Sequence, residues 1–248
     1  MDRPRIVITL ANPEGKSNVA LAEDKNERYL EAVERHGGDP IALDERASAA
    51  ERLAAFEVMD GLVLSGGEDI DPARYSESRG SRTVTDPGRD LLDEEAFRAA
   101  TQRGIPIFGI CRGLQAINVF SGGRLVQHVD DHATHPYRGR AAEASYHELQ
   151  LAPGSTLSAL LGGADRLEIN SFHHQAVDTH GLAPGLRASG VVPHAQGDLV
   201  EALESDDEPR WVLGVQCHPE RTESSPAEFA RLWDAFVAAA AARDPVAG

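Results

Sequence analysis

The chain has 248 residues, 41% of them apolar, enough for one large or two small domains with a core of ordinary size. Its formal net charge of −16 argues against nucleic acid or an anionic membrane as partner, because either would be repelled over a Debye length of about 8 Å. Two cysteines, Cys111 and Cys217, imply no disulfide framework, and the N-terminal apolar run Ile6 to Ala11 is too short for a signal segment or a membrane span. A cytoplasmic protein is expected.

Taken in chain order, Arg5 to Leu10 reads as a strand. Asn26 to His36 reads as a helix, with Tyr29, Leu30 and Val33 on one stripe and Gly37-Gly38 closing it. Pro40 to Leu43 predicts a strand, Ala47 to Phe56 an alanine-rich helix, Gly61 to Ser65 a strand, Arg89 to Arg103 a helix and Ile105 to Ile110 a strand. Such alternation predicts a mainly parallel central sheet with helices on both faces, a three-layer α/β/α sandwich. After residue 145 the pattern loosens into short strands, Tyr146 to Leu151, Leu167 to Asn170, Val200 to Glu204 and Trp211 to Gln216, the last two joined by the acidic turn ESDDEPR as a hairpin. A final helix runs from Pro226 to about Arg243, and residues 244–248 form a frayed tail. No repeat and no long linker divides the chain, so residues 1–248 are expected to form a single domain.

Three stretches carry chemistry. Strand Ile105 to Ile110 leads into Cys111-Arg112-Gly113, a GxCxG corner before a helix, with Gly109 and Gly113 where a Cβ would clash. The thiol there faces a helix N-terminus, whose partial positive charge favours thiolate over thiol, and Arg112 places a backbone N–H beside the sulfur. VQCHPE, Val215 to Glu220, ends the last predicted strand. His218 and Glu220 stand two apart and project to one side of an extended segment, giving a base steered by a carboxylate. Taken alone, a free cysteine reads as a core residue and an HPE as a solvated turn. Both motifs, however, fall at strand carboxyl ends, where the catalytic groups of parallel sheets gather. The third stretch, DGLVLSGGEDIDPARY, runs from a strand into Ser65-Gly66-Gly67, whose backbone N–H groups could complete an oxyanion hole.

GICRGLQ, SGGEDIDPARY, INSFHHQAVD and VQCHPE, in this order and spacing, resemble the class I glutamine amidotransferase-like superfamily. More narrowly, the chain is similar to the free-standing γ-glutamyl-γ-aminobutyrate hydrolase group of the C26 cysteine peptidases, from Ile6 to about Ala239. The resemblance implies a flavodoxin-like fold and a triad of Cys111, His218 and Glu220. It implies an oxyanion hole from the N–H groups of Gly67 and Arg112, and a glutamyl head group held by Gln115 and the backbone around His174 and Gln175. It further implies hydrolysis of a γ-glutamyl amide to glutamate and free amine, with no cofactor and no metal, and with a small-molecule γ-glutamyl substrate as partner. A homodimer stays open. TDPGRDLLD, with Asp86, Arg89, Asp90 and Asp93, matches the group's D..RD..E pattern except that Asp93 replaces glutamate. Cys217 stands where the group commonly has tryptophan, and Gln196-Gly197-Asp198 where it commonly has an Asp-Gly pair. Those two departures bear on amine specificity more than on the chemistry.

Other candidates weigh less. Gln127, His128, Asp130, Asp131, His132 and His135 crowd together, but a segment of this composition reads as a polar loop bordering the substrate entrance rather than a metal site. His173 and His174 fit a binding loop, His147 a pairing role within a strand, and Cys217 a core position that could still be sensitive to oxidation. A glutaminase subunit serving a separate synthetase, a hydrolase of folate polyglutamates and a catalytically silent ligand-binding protein are the rival readings. The residues leave the departing amine open, since putrescine-derived, aliphatic and amino-acid amines all fit.

Overall fold

Alternation along the first strand decides the layering. β1 (Arg5–Thr9) sends Ile6 and Ile8 to one side and Val7 to the other, all three with no exposed surface. On the first side, α1 (Val19–Arg35) brings in Tyr29 and Val33, α5 (Thr156–Leu160) Leu157, and α6 (Ala230–Ala241) Trp233 and Phe236. On the second, α2 (Ala49–Val58) contributes Phe56, α3 (Pro87–Gln102) Leu92 and Ala96, and α4 (Arg112–Phe120) Leu114 and Ile117. The result is a three-layer α/β/α sandwich with one core on each face of the sheet. The computed structural model describes residues 3–14, 16–129, 145–195, 197–207 and 210–242.

β1 lies between β2 (Asp39–Leu43) and β3 (Gly61–Leu64), and β3 is followed across the sheet by β4 (Ile107–Ile110) and β10 (Val212–Val215), every pair parallel. Beyond β10 the sheet continues antiparallel through β9 (Leu199–Ser205), β8 (Leu186–Val192), β5 (Ser145–Leu151) and β6 (Arg166–Ser171), with β7 (Val177–Asp178) also paired to β9. The expected hairpin is therefore the β9–β10 pair, where Leu213 faces Glu204.

Three local features differ from the sequence reading. α1 starts at Val19 rather than Asn26, because the Asn18 side chain accepts from Leu21 N at 3.1 Å and caps a turn with little apolar periodicity. β8 escaped notice because its register shifts between Ala188 and Val191 around Gly190, whose bare Cα lets Leu149 approach; a Cβ there would lie 2.7 Å from Leu149 Cδ1. The last helix proper begins at Ala230, after a single 3₁₀ turn over Ala227–Phe229. The expected tail at 244–248 lies outside the described residues.

Candidate active site

β3, β4 and β10 are neighbours in the sheet, and all three carboxyl ends open onto one place. Ile110 pairs with Val215, and Cys111 N donates to Val215 O at 2.8 Å, so the cysteine corner is laced to the strand that carries HPE. Cys111 itself adopts φ 54° and ψ −106°, a left-handed conformation that disfavours a side chain at a cost of about 1–3 kcal/mol. The flanking glycines have ordinary φ, and their role is close approach. A Cβ on Gly113 would sit 1.9 Å from Leu64 O, and one on Gly109 would sit 2.6 Å from Gly113 C. The helix is thus pressed against β3 and β4, and the strained corner lifts the sulfur to the sheet rim, where Cys111 keeps 8% of its surface exposed.

His218 Nδ1 lies 2.6 Å from Glu220 Oε1, and its other edge is hydrogen-bonded to the Cys111 sulfur. Burial of the imidazole opposes protonation, but the negative charges of Glu220 and Cys111 outweigh it and raise His218 to about 9. The structure therefore brings the three predicted residues into one chain of contacts, carboxylate to imidazole to sulfur. Phe172 packs its ring edge-on to His218 at 5.3 Å between centroids, and Arg221 lies 4.3 Å above Phe172.

The loop after β3 faces this chain. Gly66 N donates to Tyr29 Oη at 3.1 Å, which leaves Gly67 N–H as the donor of the pair without a partner among the described residues. Neither glycine has room for a side chain. A Cβ on Gly66 would meet Tyr29 Oη at 2.9 Å and His218 Cε1 at 3.2 Å, and one on Gly67 would meet Arg112 Cδ at 2.9 Å. Arg112 opens α4, so its N–H has no helical carbonyl to reach.

Beneath the loop lies a buried ion cluster that accounts for the D..RD..E pattern. Asp86 caps α3, accepting from Arg89 N at 3.1 Å. Arg89 Nε donates to Asp93 Oδ1 at 2.8 Å, and Arg112 is paired with both Asp90 and Asp93. Burial pushes the Asp93 carboxyl up, but Arg89 and Arg112 more than reverse this and hold it low. Arg89 also donates to Thr9 O at 2.9 Å and to Ser65 Oγ at 3.0 Å, which clamps the start of the glycine loop.

The expected binding residues divide. Gln115, 4% exposed, donates through Nε2 to Gln175 O at 2.9 Å and to Gln216 Oε1 at 3.1 Å, leaving its Oε1 without a partner among the described residues. The carbonyl of His174 is occupied by Val129 N at 2.9 Å and its side chain by Asp69 at 3.1 Å. Gln175 turns its side chain to Gln127 O at 3.1 Å. His173 is buried rather than lining the site, with Nδ1 2.9 Å from Gln175 O and Nε2 3.5 Å from Glu201. His147 of β5 approaches the same carboxylate at 3.5 Å, a contact that reaches past β8 to β9 rather than staying within its strand. Cys217 sits in the core at 1% exposure; burial, then Glu201 and Glu220, push its thiol up, so it stays neutral. Of the histidine and aspartate cluster, Asp130, Asp131, His132 and His135 lie outside the described residues, and among the described residues no group of three or more His, Cys, Asp or Glu is arranged for a metal.

Tyr29 and Gln216 escaped the sequence reading. Gln216 had a usable signal, since it precedes His218 by two residues and so shares its side of the extended segment, the argument that joined His218 to Glu220. Tyr29 had none, being separated by the whole of β2, α2 and β3 from the glycine it holds.

The peptidase C26 family model matches residues 6–220. The chain belongs to the peptidase C26 family. Among its relatives, gamma-glutamyl-gamma-aminobutyrate hydrolase PuuD of Escherichia coli is 34% identical over 96% of this chain and 94% of that protein. Protein NtpR of Enterococcus hirae is 36% identical over 84% of this chain and 86% of that protein. Among solved structures, the glutaminase domain of Trypanosoma brucei CTPS, with bound acivicin, superposes with a TM-score of 0.66 at 20% identity, covering 98% of this chain and 96% of that one. That likeness extends to the fold of this C26 member. No helix among the described residues is long and apolar enough to cross a membrane.

Proposed function

We propose that this C26 protein hydrolyses a γ-glutamyl amide, γ-glutamyl-γ-aminobutyrate or a related γ-glutamyl amine, to glutamate and the free amine. The observation that carries the reading is the contact chain Glu220, His218, Cys111 at the rim of β4 and β10, facing the Gly67 N–H. The name of the Escherichia coli relative supports the substrate class.

Cys111 Sγ attacks the γ-carbonyl carbon, and the oxygen gains negative charge between the N–H groups of Gly67 and Arg112. The His218 imidazolium gives its Nε2 proton to the amide nitrogen as the C–N bond breaks, and the amine leaves. Now neutral, His218 takes a proton from water while the hydroxide attacks the thioester. The C–S bond breaks, glutamate departs and the sulfur regains its negative charge beside the imidazolium. Glu220 holds Nδ1 throughout. Gln115 Oε1, the acceptor that its neighbours leave open, suits the α-ammonium of the glutamyl head group, and Gln175 of the 171–175 loop lies beside it.

The test is release of glutamate from γ-glutamyl-γ-aminobutyrate and from a panel of γ-glutamyl amines. Cys111→Ala should abolish it while leaving the thermal melt nearly unchanged, because the thiol contributes little core volume. Retention of more than a few per cent of the wild-type rate would refute the assignment of the nucleophile.

A further inference from the structure

The orientation of one buried amide follows from its neighbours alone. Gln175 O is a backbone carbonyl and can only accept, so the end of the Gln115 side chain 2.9 Å away must be its NH₂ group. The second hydrogen of that group points at Gln216, 3.1 Å away, which fixes the facing atom there as Oε1. The other end of the Gln216 amide is then its NH₂, and it lies 3.3 Å from Cys111 Sγ. Rotating either amide by a half-turn would set two donors or two acceptors against each other.

The remaining contacts hold this order in place. His173 Nδ1 lies 2.9 Å from Gln175 O, so both lone pairs of that carbonyl are engaged and it cannot swing away from Gln115. Gln216 N donates to Glu201 O at 2.8 Å, pinning the main chain, and the Gln216 residue has no exposed surface. A buried amide that no water reaches and that is not free to rotate presents a fixed dipole.

We propose that Gln216 is a catalytic residue, a fixed N–H donor to the Cys111 sulfur. The inference rests on Cys111 being the nucleophile. The sulfur then has two donors from the β10 end, His218 and Gln216, with different tasks. His218 must release its proton to the leaving amine, and as it does so it ceases to balance the sulfur. The Gln216 amide keeps its protons at every step. It favours the anion before attack and again as the C–S bond of the thioester breaks, when the electron pair returns to sulfur. The titratable groups around the sulfur are His218, Tyr29 from α1 and Cys217, with Glu220 and Glu201 behind them, and a substitution at Gln216 replaces none of them.

The experiment is the rate of iodoacetamide alkylation of Cys111 at pH 7, followed by peptide mass spectrometry so that Cys217 is counted separately. It is run on wild type, Gln216→Glu and Gln216→Met. The methionine variant keeps the volume, adds no charge and removes the donor at sulfur together with the acceptor for Gln115; the glutamate variant keeps that acceptor but sets a carboxylate against the sulfur, so it adds like-charge repulsion to the loss of the donor. A charge-assisted hydrogen bond of this kind predicts alkylation slower by about tenfold in Gln216→Met and by more in Gln216→Glu, with kcat falling alongside and KM within about twofold of wild type. A drop of fivefold or more in a cooperatively melting Gln216→Met variant supports the proposal, and a smaller one overturns it. Wild-type protein labelled with ¹⁵N-glutamine gives a reading without any variant. Alkylation of Cys111 must shift a buried side-chain amide resonance, and no shift overturns the proposal. Failure of wild type to hydrolyse any γ-glutamyl amide would sink the substrate reading while leaving the amide-to-sulfur contact measurable by both methods.

Discussion

His218 carries two demands at once, a proton to donate and a neighbour to keep charged. Its folded-state value of about 9 exceeds the unfolded value of about 6.5, so the stability it contributes is complete below about pH 6.5 and is lost as pH rises through about 9. Catalysis should follow the same limb. Because acylation needs the imidazolium, kcat/KM is expected to hold through neutral pH and fall near pH 9. Glu220→Gln removes the stronger of the two negative charges that raise His218, so it should move that fall to lower pH and leave measurable activity. His218→Asn should be nearly as damaging as loss of the thiol, since proton transfer is worth about 10²–10⁴-fold and orientation less. Kinetics of both variants from neutral to alkaline pH decide the matter, and equal losses would mean that Glu220 does more than orient. Gln115 is read separately. With both N–H groups engaged, it offers the substrate only an acceptor, and it also orders Gln216, so Gln115→Ala should lower kcat/KM by a similar factor, about fivefold to tenfold, for every γ-glutamyl amide. A factor that varied strongly with the amine would place Gln115 on the leaving-group side.

The β4–α4 corner is the element on which geometry and stability meet. Gly113→Ala would drive a Cβ to within 1.9 Å of Leu64 O, an atom of a central strand that cannot retreat. A loss of about 3 kcal/mol or more in unfolding free energy is expected, seen as a lower urea midpoint at unchanged slope, and any surviving fold should have lost the Cys111 corner and with it activity. A midpoint within error of wild type would show the corner to be looser than its packing. The corner was legible in the sequence because its determinants are local, an apolar run, two glycines and a cysteine in one short stretch. The parallel half of the sheet was legible because its strands are short apolar runs set between helices long enough to show their period. The antiparallel half was less so. β7 has two residues, α5 has five, and β8 is interrupted by the bulge at Gly190, so no period develops. At the site, Cys111, His218 and Glu220 stood out at strand ends. The Arg89, Asp90, Asp93 and Arg112 cluster was visible only as a charge pattern, because its purpose depends on α3 and α4 lying side by side.

Across the whole molecule, 40 acidic against 24 basic side chains set a field that the substrate must cross. The site's own charges are largely matched in place, Arg89 and Arg112 by Asp90 and Asp93 and Lys16 by Glu68, so the net −16 acts mainly as a diffuse surface potential. That part is open to screening, whereas the buried pairs are not. γ-Glutamyl-γ-aminobutyrate carries one ammonium and two carboxylates and is a net anion. A γ-glutamyl amide of putrescine carries two ammonium groups and one carboxylate and is a net cation, and the butylamide is neutral overall. Raising ionic strength from about 0.01 M to about 0.15 M shortens the Debye length from about 30 Å to about 8 Å. Over that range kcat/KM for the anionic substrate should rise by about twofold to threefold, that for the cationic one should fall by a similar factor, and the neutral one should barely move. Initial rates at low substrate, with the salt varied and pH fixed, measure all three. Were the anionic and cationic substrates to respond alike, the leaving-group end would be shielded from the surface field, and a cation inside the site would have to be sought as its partner.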